Sequence, residues 1–137
     1  MANRNKQKGD RAERAVRDWA VDHGPGSFKT RAGFNDDMGD VLWLHMAGYV
    51  VLQVKDVARP VWSTWFSQLA DQVATATREV RGDYAVLGGV IVHKVRGVAD
   101  PAKWRAVLPL ESLEQLLSSV YSAGVDHGRA MQDQRQG

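Results

Sequence analysis

The stretch YVVLQVKD, residues 49–56, has the composition of a β-strand buried on both faces, yet two polar residues interrupt it. Residues 50–52 and Val54 supply the β-branched and apolar side chains that such strands favour. Gln53 and Lys55 are two positions apart, so in a strand they point to the same face, about 7 Å from one another. An amide and an ammonium side by side in a buried strand require either a structural or a functional explanation.

The hydrophobic pattern on both sides of this strand predicts an α/β protein. A helix is expected to begin at Asp10, because DRAE has the form of a capping box. Apolar residues three and four positions apart predict a long helix over residues 62–80 and a final helix near residues 113–120. Further strands are expected over residues 27–34, 40–45, 84–95 and 104–110. This order of elements predicts a mixed five-stranded sheet flanked by helices.

The chain has 137 residues, which is close to the commonest domain size. We expect one domain over residues 1–123, with a basic segment at residues 1–9, followed by a polar and disordered tail over residues 124–137. The sequence has neither an apolar run of about 20 residues nor a hydrophobic segment behind its first charges, so no membrane span or signal peptide is expected. These features predict a cytoplasmic protein.

Basic residues are concentrated at the N-terminus, although the net charge of the whole chain is only +2. Arginine and lysine outnumber acidic residues there, at positions Arg4, Lys6, Lys8, Arg11, Arg14 and Arg17. Lys29 and Arg31 add two more charges on one face of the next predicted strand. Such a distribution indicates either a polyanionic partner or simply a solvated surface.

The hairpin formed by the strands at residues 40–45 and 49–56 determines which side chains face Gln53 and Lys55. With a four-residue loop, Leu44 pairs with Tyr49, and the same register sets Asp40 opposite Gln53. A shift of the register by two sets Asp40 opposite Lys55 instead. A three-residue loop would turn Asp40 to the other face.

A carboxylate, an amide and an ammonium on one face have two interpretations. They can form a satisfied polar cluster, or the two kinds of oxygen can hold a hard divalent cation while Lys55 orients a water or stabilises a phosphoryl oxygen. With no cysteine in the chain, any metal would have oxygen or imidazole ligands. Glu13 lies at the margin of the first helix's apolar stripe and is able to face the same region; a capping box with Asp10 or an ion pair with Arg17 explains it equally well.

Three segments together resemble a known family. KGDRAERAV (residues 8–16), FKTRAGFNDDMGDVLWL (residues 28–44) and VVLQVKD (residues 50–56), with a long helix after them, resemble the Holliday-junction resolvases of the PD-(D/E)XK nuclease superfamily. The most similar branches are the archaeal type and its phage-encoded relatives, and the resemblance covers residues 6–117. It implies a restriction-endonuclease-like core and a homodimer that cleaves four-way DNA junctions during recombination and repair.

The resemblance also implies roles for four residues. Glu13, Asp40 and Gln53 match the positions that gather Mg²⁺, with Mn²⁺ as an alternative, and Lys55 matches the lysine that assists the attacking water. Gln53 departs from the usual pattern, which has a glutamate there, and the missing charge should lower the affinity for metal.

The resemblance gives the basic residues a role as well. Backbone contacts to DNA are expected from Arg4, Lys6, Lys8, Arg11, Arg14, Lys29 and Arg31. Other interpretations remain open: a nicking enzyme or exonuclease of the same superfamily, a protein that binds junctions without cutting them, or a domain unrelated to nucleic acids. Trp62 and Trp65 fit packing in a core or dimer interface, with base stacking as the alternative, and the four histidines show no metal-ligand spacing.

Overall fold

Three helices and four strands occur in the parts of the chain that the structure, a computed structural model, describes: residues 4–24, 39–45, 48–80 and 84–122. In chain order they are α1 (Arg4–Asp22), β1 (Val41–His45), β2 (Gly48–Lys55), α2 (Trp62–Glu79), β3 (Val86–His93), β4 (Arg105–Val107) and α3 (residues 110–122). A short 3-10 turn, Pro101–Lys103, precedes β4.

The described strands form one mixed sheet in the order β1-β2-β3-β4. β1 and β2 are antiparallel, β2 and β3 are parallel, and β3 and β4 are antiparallel. α2 provides the crossover that a parallel pair requires. The expectation of an α/β protein with a mixed sheet flanked by helices is therefore confirmed, with four strands in the described residues. The strand expected over residues 27–34 lies outside them.

Both faces of β2 are buried, which explains its nearly continuous apolar sequence. Leu52 belongs to a hydrophobic cluster with Val16 of α1 on one face of the sheet. Val51 belongs to a second cluster with Leu69 of α2 and Ile91 of β3 on the other face. The side chains of β2 alternate between these two clusters, so α1 and α2 cover opposite faces of the sheet.

The register of the β1–β2 hairpin agrees with the prediction, although its loop is shorter. Leu44 pairs with Tyr49 as expected, and His45 also pairs with Gly48, so the expected four-residue loop is wrong. Only residues 46 and 47 lie between the paired positions. Because one more pair forms in the same register, the position opposite each residue of β1 is unchanged.

α1 begins earlier than the sequence suggested. It already includes Arg4, so Asp10 lies inside the helix and the capping box predicted at Asp10 is wrong. Lysine and glutamine in the preceding residues are good helix formers. Lys8 also forms an ion pair with Asp56 at 3.3 Å, which attaches these early turns to the end of β2.

The other boundaries fall close to their predicted places. α2 ends at Glu79, one residue before its predicted end. Lys29, Arg31 and the tail from residue 124 lie outside the described residues. β4 is shorter than the strand expected over residues 104–110. The register between β2 and β3 shifts between Tyr49 and Val50, where Val50 faces Gly88.

Gly89 allows α2 to lie close to β3. A Cβ atom at this position would lie 2.7 Å from Val73 Cγ2 and 2.8 Å from Leu69 Cδ1. We therefore expect Gly89→Ala to lower the free energy of unfolding by about 1–3 kcal/mol through overpacking. Gly9→Ala is the matched control: nothing lies within 4 Å of its Cβ position, and alanine in a helix should raise the free energy of unfolding by about 0.5–1 kcal/mol. Urea denaturation measures both, and equal effects of the two substitutions would contradict this packing.

Candidate functional site

Asp40 stands at the entrance to β1 and is tied to β2 by two hydrogen bonds. Its backbone N–H donates to the carbonyl oxygen of Leu52 at 3.0 Å, and its Oδ2 accepts from the backbone N–H of Val54 at 2.7 Å. The preceding Gly39 has φ of +88°, and a Cβ there would lie 2.6 Å from Val51 Cγ1. Glycine is thus required for the chain to turn into the strand with Asp40 against β2.

Gln53 is the position opposite Asp40 when the register of the hairpin is extended by one pair beyond Val41 and Leu52. The residue is 9% exposed, and its Oε1 atom is buried without a hydrogen-bond partner among the described residues. Leaving a buried acceptor unpaired costs about 1–3 kcal/mol. A cation bound at this oxygen would compensate that cost.

Lys55 ends β2 on the same face as Gln53, as the two-residue period predicts. Its ammonium nitrogen lies 5.5 Å from the ring centroid of Trp65 in α2, and its partner in the parallel register is His93. Within the described residues no carboxylate is at ion-pair distance from this ammonium. Both polar side chains of β2 therefore lie on the face that α2 covers.

Glu13 approaches from α1, the helix on the opposite face. Burial raises the pKa of Glu13, and the neighbouring charge of Asp40 raises it further, whereas the Arg17 guanidinium lowers it. Arg17 Nη2 lies 3.5 Å from Glu13 Oε1, so the i to i+4 ion pair considered from the sequence is present. Asp40 is therefore one of the charges that act on Glu13, although burial is the larger cause.

The structure connects the four predicted residues in steps. The charge of Asp40 acts on Glu13, and the hairpin register sets Asp40 opposite Gln53. Gln53 and Lys55 lie two residues apart on the same face of β2. No hydrogen bond or ion pair within the described ranges joins Glu13 directly to Gln53 or Lys55. Asp40 is thus the residue that relates Glu13 of α1 to Gln53 of β2.

The residue types are those that a hard divalent cation prefers. The carboxylates of Glu13 and Asp40, and the amide oxygen of Gln53 that has no hydrogen-bond partner among the described residues, are oxygen donors of the kind that Mg²⁺ takes. The described part of the chain contains no cluster of three or more His, Asp or Glu side chains that could hold a metal ion. With Gln53 as the third oxygen donor, the set contains only two acidic residues.

The basic side chains of α1 form an exposed surface. Those at Arg4, Lys6, Lys8, Arg11 and Arg14 are all exposed. Lys8 forms an ion pair with one oxygen of the Asp56 carboxylate. The second oxygen of Asp56 lies 3.5 Å from the ammonium of Lys94. Asp56 thus points away from Gln53 and Lys55, as the strand alternation predicted.

Sequence reasoning did not connect Trp65, His93 or Lys94 to the site. Trp65 and His93 flank Lys55 on the α2 side, and the backbone N–H of Lys94 donates to the carbonyl oxygen of Lys55 at 2.9 Å. The available signal was a basic or imidazole residue near the end of each of two predicted strands, Lys55 in one and His93 in the other. Their register cannot be read from either strand alone.

No protein-family model, curated protein or solved structure matches the chain. Among the described helices, none is long and apolar enough to cross a membrane. The interpretation of the site accordingly depends on its own residues.

The raised pKa of Glu13 predicts a pH-dependent effect of Glu13→Gln on stability. In the folded state the pKa of Glu13 lies above its ordinary value of 4.5. The contribution of the protonated group to the stability of the fold is therefore complete below pH 4.5. This contribution is lost as pH rises through the raised folded pKa. We expect Glu13→Gln to raise Tm at pH 7 and to lose this advantage below about pH 4.

Asp18→Asn, which removes an exposed carboxylate from the same helix, is the control and should show no comparable gain. Thermal unfolding followed by circular dichroism between pH 3 and 8 measures the effect. A Glu13→Gln variant less stable than the wild type at pH 7 would contradict the prediction.

Proposed function

We propose that this protein is a metal-dependent endonuclease that hydrolyses phosphodiester bonds in branched DNA, with four-way junctions as its substrate. The observation that carries the proposal is the hairpin register, which sets Asp40 opposite the buried Gln53, two residues before Lys55. Together with Glu13 on α1, this is the order of residues in the PD-(D/E)XK Holliday-junction resolvases. The sheet order and the α2 crossover are compatible with their core, whose fifth strand is expected over residues 27–34.

The proposed cofactor is Mg²⁺, with Mn²⁺ as an alternative. Asp40, Gln53 and Glu13 would hold it through carboxylate and amide oxygens. When bound, such an ion supplies Lewis acidity toward a phosphoryl oxygen and lowers the pKa of water. The hydrogen bond from the Val54 N–H keeps Oδ2 of Asp40 in place at the end of the hairpin.

Lys55 is the proposed catalytic residue of the chain. Its ammonium donates hydrogen bonds to the attacking water and to the phosphoryl oxygen on which negative charge develops. In the reaction the water oxygen bonds to phosphorus and one P–O ester bond breaks. The departing oxygen takes up a proton, so the products are a phosphomonoester end and a hydroxyl end.

The exposed basic face of α1 is the proposed surface for the DNA backbone. Phosphate contacts by arginine and lysine position a duplex without reading its sequence. This property suits an enzyme that recognises the shape of a junction. A two-fold junction requires two cuts, so we infer that the chain acts as a homodimer, with one site for each strand.

A junction-binding protein without catalysis is the second candidate, because one observation favours it. Gln53 provides an amide where the resembling nucleases usually have a glutamate, and this removes one negative charge from the ion's ligands. Such a protein would bind a four-way junction and leave it intact in the presence of Mg²⁺ or Mn²⁺.

Cleavage of a labelled four-way junction and of a linear duplex with Mg²⁺ tests the proposal. We expect the wild type to cut the junction preferentially, and Asp40→Asn and Lys55→Met to lower the rate more than about 100-fold. Asparagine retains an acceptor for the Val54 N–H, and methionine retains an apolar stem against Trp65, so both changes spare the fold. Asp71→Asn, on the exposed side of α2, should leave cleavage unchanged.

Each result has a distinct meaning. Equal cutting of both DNAs would reject the preference for junctions, and unchanged cutting by Asp40→Asn and Lys55→Met would reject the site. Junction binding by gel shift without cleavage under either metal would favour the second candidate.

Gln53→Glu tests the amide directly. A third carboxylate beside the ion adds an attraction of about 1–4 kcal/mol, so we expect Mg²⁺ or Mn²⁺ to bind about fivefold more tightly or better, with undiminished cleavage. Isothermal titration calorimetry of the metal measures the change. Gln68→Glu, on the exposed side of α2, is the control for adding one negative charge to the chain. Equal metal affinity in the wild type and Gln53→Glu would show that residue 53 is not a ligand.

A further inference from the structure

Four aromatic rings meet where β2 ends, and we refer to Trp62, Trp65, Phe66 and His93 as the aromatic cluster. Trp62 contacts Trp65 edge to face at a centroid distance of 5.1 Å and stacks on Phe66 at 5.9 Å. His93 contacts Trp62 at 5.4 Å and Trp65 at 5.5 Å. The first turns of α2 are thereby attached to the last residue of β3.

Trp65 is held in one orientation by its neighbours. The residue is 6% exposed, with rings on two sides at interplanar angles of 85° and 63°. His93 is itself fixed, because its Nε2–H donates to the carbonyl oxygen of Val57 at 2.8 Å. The indole therefore presents a fixed face toward the end of β2.

The ammonium of Lys55 lies on that face. Its distance of 5.5 Å from the ring centroid is within the range of a cation–π contact. A carboxylate partner would occupy the N–H groups of the ammonium and compete with a phosphate, whereas a π-face attracts the charge and leaves those donors available. Within the described residues Lys55 has no carboxylate partner.

A second lysine provides an internal comparison. Lys94 lies 5.4 Å from the ring centroid of Trp104, but it is also paired with Asp56 at 3.5 Å. Trp104 packs on the face of the sheet covered by α1, away from Gln53 and Lys55. The two lysine–indole contacts thus have similar lengths, and only Lys55 has its donors free of an acid.

We propose that Trp65 is the positioning residue of Lys55: the indole, held by Trp62 and His93, keeps the ammonium beside Gln53 with its hydrogen bonds available to a DNA phosphate. This inference rests on the proposed function, because it assigns the cleavage reaction a residue that touches neither the metal nor the substrate. It also gives the aromatic cluster a role beyond packing.

Variants of the full chain test the inference by NMR and by single-turnover cleavage. Protons above an indole face are shifted upfield, so Trp65→Leu should return the Lys55 Hε resonances toward those of free lysine. Trp65→Phe retains a ring and should preserve much of the shift, and Trp104→Leu should leave Lys55 unaffected. We expect Trp65→Leu to slow cleavage about tenfold, and Trp65→Phe and Trp104→Leu less than about threefold.

The double variant Trp65→Leu/Lys55→Met separates positioning from packing. If Trp65 acts through Lys55, removing the indole should slow cleavage no further once the ammonium is absent. Metal affinity measured by calorimetry should be the same in Trp65→Leu and the wild type, since Trp65 supplies no ligand. If Trp65→Leu does not fold, Trp65→Met takes its place, because methionine also removes the ring but fills more of the space.

Unmoved Lys55 resonances in a folded variant that lacks a ring at position 65, Trp65→Leu or Trp65→Met, would overturn the inference. Equal slowing by Trp65→Leu in the wild-type and Lys55→Met backgrounds would overturn it as well. An inactive wild-type chain would contradict the proposed function, which is distinct from an active chain in which Trp65→Leu cuts normally.

Discussion

The antiparallel register of β1 on β2 is the constraint on which the candidate site depends. Asp40 contributes to it from just outside β1, through one backbone hydrogen bond to Leu52 and one side-chain hydrogen bond from Val54. A slip of one residue would exchange the two faces of the hairpin, turning the apolar side chains of one cluster toward the other helix. The packing energy of both faces therefore maintains the alignment of Asp40 with Gln53.

Side chains from both helices approach the end of the sheet, one on each face. α1 covers one face and brings Glu13 toward Asp40, whereas α2 covers the other and brings Trp65 to Lys55. The end of the sheet is thus the place where side chains of both layers approach the β1–β2 hairpin. Within the described residues, the helices and strands themselves bring residues that are far apart in sequence to this end of the sheet.

Much of this arrangement could be predicted from sequence periodicity. The two-residue period of β2 correctly placed Gln53 and Lys55 on one face and Asp56 on the other, and the spacing of three and four predicted α2 to within one residue. Leu44 and Tyr49 were correctly paired, although the four-residue loop from which this register was inferred was wrong. These features follow from local rules that each segment obeys independently.

Contacts between distant segments were not predictable in this way. The early start of α1 is supported by the ion pair between Lys8 and Asp56, and the capping signal at Asp10 pointed to a later start. The contact of Lys55 with Trp65 requires the parallel register of β2 and β3 together with the docking of α2. Neither condition can be read from a single segment. The preference for four-way junctions and the homodimer remain predictions.

The amide of Gln53 has a consequence for the total charge of the proposed loaded site. Two carboxylates, one divalent cation and the ammonium of Lys55 sum to +1, whereas a glutamate at position 53 would lower this sum to zero. A positive centre attracts an anionic substrate, and a neutral centre does not. In the proposed nuclease, glutamine at position 53 would therefore bind the ion less tightly than glutamate would, but it would favour the approach of the DNA backbone.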